Sequence, residues 1–274
     1  MNTRLYIIEG LPCSGKSSTA KFTAGLTRGR LYDEDCGNHP ADWEFTAFVP
    51  NSAGEFTPEE HAVLASLGER LPGGNAVPLN RLTEKYHGLF DRAFRYKIYD
   101  CLDWENERQV ILHKWRSFME QVLASEQDSV FVFNCVLLQN PMCETMMRFN
   151  FESSVSYAFI REICGIITPL KPTVIYLKNS EIAGSVRKAA AERGDEWLSA
   201  VTDYHCSGGY GTANRLSGFE GYIAALEERQ RRELEFLPKL PVKSLILNDP
   251  QRDWAEAYRI IEREITGNTS TGQK

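Results

Sequence analysis

GLPCSGKSS, Gly10–Ser18, packs two glycines, a lysine and three serines into one short run. The apolar segment Arg4–Glu9 (RLYIIE) precedes it and reads as a buried strand. Lys16–Leu26 follows with residues that suit a helix, and Gly29 ends that segment. Gly10, Gly15, Lys16 and Ser17 match the spacing GxxxxGK[ST] in the strand–turn–helix context this spacing requires. Glycine at those positions permits backbone angles that turn several N–H groups to one concave side. Those donors, with the positive end of the next helix, select a polyphosphate. Lys16 brings a compact charge to its outer phosphates, Ser17 offers a hydroxyl to Mg2+, and Ser18 can donate to an inner phosphate. Cys13 and Ser14 lie inside the loop, and Cys13 reads as a spacer. The expected ligand is a nucleoside triphosphate with Mg2+; the loop by itself does not select the base.

Four further strands are expected beyond this loop. Arg30–Tyr32 runs into the acidic Asp33-Glu34-Asp35; Ser129–Phe133 (SVFVF) ends at Asn134; Thr173–Leu177 and Val242–Leu247 complete the set. Helical spacing covers Ser180–Arg193 with Ser180 as an N-cap candidate, then Gly218–Phe236 and Gln251–Ile265. Strands alternating with helices imply a parallel sheet covered on both faces. The long interval between the second and third strands reads as mostly helical. Thr57-Pro58-Glu59-Glu60 is a capped helix start, and Leu82–Arg95 and Asp103–Ser125 are further candidates.

The chain has 274 residues, 42% hydrophobic and 25% charged, with a net charge of −6. That suits one large globular domain with an insertion and argues against a broad nucleic-acid footprint. No apolar run reaches the ~18 residues that span a membrane. Seven scattered cysteines form no CxxC pair, so a zinc ribbon or redox motif is not expected and a reducing cytoplasm is. GNTSTGQK, 267–274, reads as a flexible tail.

These features resemble the small-molecule kinases of the P-loop superfamily, of the thymidylate, nucleoside monophosphate and shikimate kinase type. The resemblance implies an α/β fold of three layers with a five-stranded parallel sheet in the order 2-3-1-4-5. Residues 1–266 would form a single domain. It would carry a helical acceptor-binding insertion at about 40–102 and a helical lid at about 180–217. LYDEDC resembles the acidic pair that ends the second strand in shikimate-like kinases. The resemblance assigns Asp33 to the metal and Asp35 to the acceptor hydroxyl, as the group that orients it and takes its proton. IYLKNSEIAGSVRKAAAERG resembles the thymidylate-like lid, which makes Arg187 and Arg193 the cations on the transferring phosphoryl group, with Lys188 nearby. LNDPQRDW resembles the turn beside the base, which nominates Asn248 and Pro250.

One departure stands out. The third strand ends in Asn134, where such kinases carry a metal-side acid, and this shifts the metal role toward Asp33 or Asp35. Asn134, Gln139, Asn140, Arg148 and Arg161 are candidates to face the acceptor. DYHCSGGYG, Asp203–Gly211, reads as a flexible loop, with His205 more a structural than a catalytic group. Trp43, Tyr86, Phe90, Phe94 and Tyr96 read first as core, second as a stacking surface for a planar acceptor. The implied activity is ATP-dependent phosphotransfer to a nucleoside, nucleotide, antibiotic or other small molecule, with a homodimer as the arrangement common among relatives. The rival is a P-loop ATPase or nucleotide-driven switch without a small-molecule acceptor. The absence of an NKxD-type motif speaks against its GTPase branch.

Overall fold

A computed structural model describes residues 3–34, 36–83, 85–125 and 128–267. The chain forms two compact units: residues up to 33 with those from 125 onward, and residues 34–124. The first unit opens with β1 (Leu5–Gly10), α1 (Lys16–Thr27) and β2 (Arg30–Tyr32). The second unit holds β3 (Thr46–Pro50), α2 (Pro58–Leu67), β4 (Glu69–Leu71), β5 (Gly74–Pro78), α3 (His87–Phe94) and α4 (Trp104–Ala124). The first unit then resumes with β6 (Phe131–Asn134) and α5 (Gln139–Met142), which runs into a π-helical turn at Cys143–Arg148. α6 (Ser153–Ile167), β7 (Thr173–Lys178), α7 (Ile182–Arg193), α8 (Asp195–Ser207) and α9 (Gly209–Ala213) follow. α10 (Gly218–Phe236), β8 (Lys243–Asn248) and α11 (Trp254–Thr266) close the chain.

The first unit is built on a five-stranded parallel sheet ordered β2-β6-β1-β7-β8. Counting these strands alone along the chain gives 2-3-1-4-5, the order that the resemblance implies. β1 and β7 are buried on both faces, so they are apolar without alternation. Their side chains still divide by the two-residue period of a strand. Tyr6, Ile8, Ile175 and Leu177 pack with Ala20 of α1 and with Ala257 and Ile261 of α11. Tyr176 faces the other way and donates its hydroxyl to Glu233 of α10 at 2.6 Å. Helices therefore cover both faces. No helix among the described residues is long and apolar enough to cross a membrane.

The interval expected to be mostly helical also contains a sheet. β3, β5 and β4 pair antiparallel in that order, with Ala47 opposite Val77 and Arg70 opposite Asn75. These strands are three to five residues long, too short to display a period, and β3 finds β5 only after a helix has intervened. The capped start at Thr57 forms as expected. Thr57 Oγ1 accepts from the Glu60 N–H at 3.3 Å, and Glu60 Oε2 accepts from the Thr57 N–H at 2.9 Å. Trp43 is buried with its indole N–H on the Val110 carbonyl at 2.8 Å. Tyr86, Phe90 and Tyr96 pack against the core of this unit, while Phe94 is 39% exposed.

Two local expectations are corrected. Ser180 does not cap α7, whose N-cap is Glu181; its hydroxyl donates to Asp249 instead. Asp203–Gly211 is the end of α8 and most of α9 rather than an open loop. Its glycines serve contact. A Cβ on Gly208 would lie 2.5 Å from the Met147 carbonyl oxygen, and one on Gly209 2.5 Å from that of Arg148. Glycine here brings the junction of α8 and α9 onto the π-helical turn. The tail expectation, 268–274, lies outside the described residues. Gly208→Ala should therefore cost about 1–3 kcal/mol by overpacking, read as a lower urea midpoint with faster proteolysis within 195–213.

Candidate functional site

β1 delivers the phosphate loop. Gly10 has φ 147° and Gly15 φ 93°, both in the region that favours glycine. Space enforces the same choice: a Cβ on Gly10 would stand 2.7 Å from the Leu177 carbonyl oxygen, and one on Gly15 2.3 Å from the Trp254 ring. Cys13 lies between them at φ 64°. Burial pushes its thiol above the ordinary value against the pull of Arg193 and Lys16, so it supplies backbone rather than a thiolate. Lys16 is buried, and its ammonium donates to the Leu11 carbonyl at 2.9 Å, which folds it over the loop. Ser14 Oγ is buried without a hydrogen-bond partner, and Ser17 and Ser18 are exposed at the start of α1. An orphaned hydroxyl beside a lysine at a helix N-terminus fits a polyphosphate.

The end of β6 completes the donor side. Asn134 Nδ2 donates to Ser17 Oγ at 3.2 Å and to Asp33 Oδ1 at 2.6 Å. Its own carbonyl oxygen accepts from the Cys135 thiol at 3.0 Å. One amide thus joins the loop serine to the acid that ends β2. A hydroxyl and a carboxylate drawn together are hard oxygen ligands of the kind Mg2+ takes alongside phosphate. No group of three or more His, Cys, Asp or Glu is placed to hold a metal among the described residues. Asp35 lies outside the described residues.

The two arginines of α7 part company. Arg193 ends α7, stacks over Trp197 at 4.9 Å, and its charge acts on the Cys13 thiol of the phosphate loop. Arg187 is 64% exposed, pairs with Glu220 at 3.6 Å and stacks on Phe219 at 4.7 Å, at the start of α10. Arg148 pairs with the buried Glu144 at 2.7 Å and stacks on Phe149. Arg161 is exposed on α6. His205 is buried with Nδ1 on the Val201 carbonyl at 2.8 Å, and burial pushes its pKa down to about 4. It is neutral near pH 7, as a structural histidine is.

Asn248 ends β8 exposed and Pro250 is buried just after it. Both line a groove of about 390 Å³ with Ile246, Asp253, Ala257 and Ile260, and no phosphate-loop residue reaches it. This turn is tied to the start of the lid. Asp249 accepts from the N–H and the hydroxyl of Ser180, each at 2.7 Å. Gln251 donates to Asn179 Oδ1 at 2.9 Å, while Gln230 of α10 accepts from the Asn179 N–H and donates to its carbonyl.

Sequence reasoning missed the buried polar group behind the loop. Arg229 pairs with Glu233 at 2.6 Å, both nearly inaccessible, and Glu9 is fully buried beside Gly10. The i,i+4 spacing on α10 was visible, and so was a lone acid in an apolar strand; neither signals burial without the sheet.

The strand order and the glycine loop after β1 define an α/β fold with a parallel five-stranded sheet and a P-loop. No family model and no curated protein matches the chain. Solved structures it is similar to include the YorR protein of Bacillus subtilis in complex with phosphorylated GDP. That match has 14% identity and a TM-score of 0.43, covering 95% of this chain and 96% of that one. Deoxyadenosine kinase of M. mycoides with bound dATP matches at 11% identity and TM-score 0.42, covering 96% and 99%. A sugar kinase from Janibacter sp. matches at 11% and 0.40, covering 97% and 96%. At that distance the likeness adds nothing to what the sheet order itself shows.

Restoring the missing acid tests the Asn134 geometry. Asn134→Asp sets a second carboxylate against Asp33 and removes the donor it accepts from. The variant should lose about 1–3 kcal/mol of stability without Mg2+ and recover it with saturating Mg2+, measured by thermal unfolding at both conditions.

Proposed function

We propose that the protein is an ATP-dependent phosphotransferase acting on a hydroxyl or phosphate of a small molecule. The observation that carries this reading is the Asn134 amide, which holds Ser17 of the phosphate loop and Asp33 of β2 together. A hydroxyl and an acid brought together at the loop serve Mg2+ on a bound nucleoside triphosphate, and the acidic run that continues to Asp35 supports an acceptor beside it. Ser17 and Asp33 would hold Mg2+ on the donor, and that ion supplies charge neutralisation between the outer phosphates. The loop N–H groups and Ser14 bind the phosphates. Lys16 and Arg193 neutralise the phosphoryl oxygens as they move. Asp35, two residues beyond Asp33, is the proposed acceptor-side carboxylate: it orients the attacking hydroxyl and takes its proton late in transfer. Asn248 and Pro250 are proposed beside the base. A nucleoside, nucleotide or similar hydroxylated compound fits as acceptor.

The test is transfer of label from Mg-[γ-32P]ATP to members of a nucleoside, nucleotide and natural-product panel. Lys16→Ala should abolish transfer, and an unchanged rate in that variant would overturn the mechanism. The lid arginines should separate. Arg193→Ala should lower kcat by about 10²-fold or more. Arg187→Ala should leave it within a few-fold, because that side chain is spent on Glu220 and Phe219.

A further inference from the structure

Glu9 is one of the buried ionisable groups that the transfer chemistry leaves unused. It lies on β1, fully buried, immediately before the first glycine of the phosphate loop. Its Oε1 accepts the N–H groups of Leu137 and Leu138, each at 2.8 Å, and its Oε2 accepts that of Gln139 at 3.2 Å. The chain leaving β6 is held a second time one residue earlier on β1, where the Cys135 N–H bonds to the Ile8 carbonyl at 3.0 Å. Cys135 has φ 61°, a conformation that an L-residue keeps only when its surroundings impose it. The residue before it is Asn134, whose amide carries Ser17 and Asp33.

Three backbone donors converge on two oxygens. A carboxylate has acceptor capacity for all of them, whereas a carboxamide turns one donor against the Gln139 N–H. We propose that Glu9 is a positioning residue: its carboxylate locks the turn 135–139 against the root of the phosphate loop, and through Asn134 it keeps Ser17 and Asp33 in register for the metal-bound donor. This rests on the reading of Ser17 and Asp33 as metal-side ligands.

The groups facing Glu9 are Arg229 and Glu233 from α10 and Tyr176 from β7. Arg229 pairs with Glu233 at 2.6 Å and reaches the Gly10 carbonyl at 3.5 Å; Glu233 also accepts from Tyr176. Burial, opposed by the N–H donors and Arg229 and reinforced by Glu233, pushes the Glu9 carboxyl up to about 7. A proton on Oε2 weakens the acceptor of the longest bond, so the turn is held most firmly when Glu9 is ionised and loosens at Gln139 as Glu9 takes up a proton. Global stability runs the other way. A carboxyl whose folded pKa is raised makes its contribution fall as pH rises from its ordinary range toward about 7. A purely structural carboxyl would move both together.

The experiment is amide hydrogen exchange and ADP calorimetry on the full chain, wild type and Glu9→Gln. In the wild type, the amides of Leu137, Leu138 and Gln139 should exchange as slowly as those of β1. Protection of Gln139, corrected for intrinsic rate, should be lower at about pH 6 than at about pH 8. In Glu9→Gln that pH dependence should vanish. Mg-ADP affinity should fall about tenfold, with ADP affinity in the absence of Mg2+ unchanged. Two results overturn the proposal: exchange of 137–139 at surface-loop rates in the wild type, which needs no variant, or a folded Glu9→Gln with wild-type exchange and Mg-ADP affinity. A wild type that binds no ADP overturns the phosphotransferase reading instead, and the exchange series still decides the clamp.

Discussion

Parallel register is the constraint from which the site follows. β1 pairs Ile8 with Asn134 on one side and Gly10 with Leu177 on the other, and β7 in turn pairs Lys178 with Asn248. These strands end at one edge of the sheet, where ligands of open α/β sheets bind. The glycine loop after β1, the Asn134 amide after β6 and the turns that follow β7 and β8 therefore lie at that edge without being adjacent in sequence. A slip of one residue in β1 would exchange Ile8 for Glu9 on the α1 face and move the carboxylate away from α10.

The charge placed behind this edge makes the register costly to lose. Arg229 and Glu233 are an ion pair with almost no solvent contact, and Glu233 also takes the Tyr176 hydroxyl. Burying such a pair gains little over apolar packing, yet removing one member strands the other. Its value lies in specificity. α10 can seat on the sheet only where Tyr176, Gly10 and the Asn179 backbone meet Glu233, Arg229 and Gln230.

Asn134 shows how a substitution in a motif can reorganise rather than abolish a site. An acid there would face Asp33 at hydrogen-bond distance and raise the cost of ionising both. A neutral amide turns that repulsion into a bond and leaves the charge on β2. α7 shows a similar economy: of two arginines six residues apart on it, one faces α10 and the charge of the other acts on Cys13 of the phosphate loop.

The phosphate loop, the five parallel strands and the capped start of α2 were legible in the residues, because each rests on local chemistry or on an apolar run; the strand order came from the family resemblance. The small antiparallel sheet was not, since β3 and β5 are short and their pairing spans the sequence between them. Asp203–Gly211 was misread because glycine marks both flexible turns and close contacts, and only the carbonyls of Met147 and Arg148 show which applies here. The role of Asn134 was legible as a departure from a pattern; its two partners were not. Glu9 was in plain view at the end of a strand, and folding alone gave it meaning. Hydrogen-bond partners that lie over a hundred residues apart follow from packing, while the residue types that can make those bonds follow from the chain.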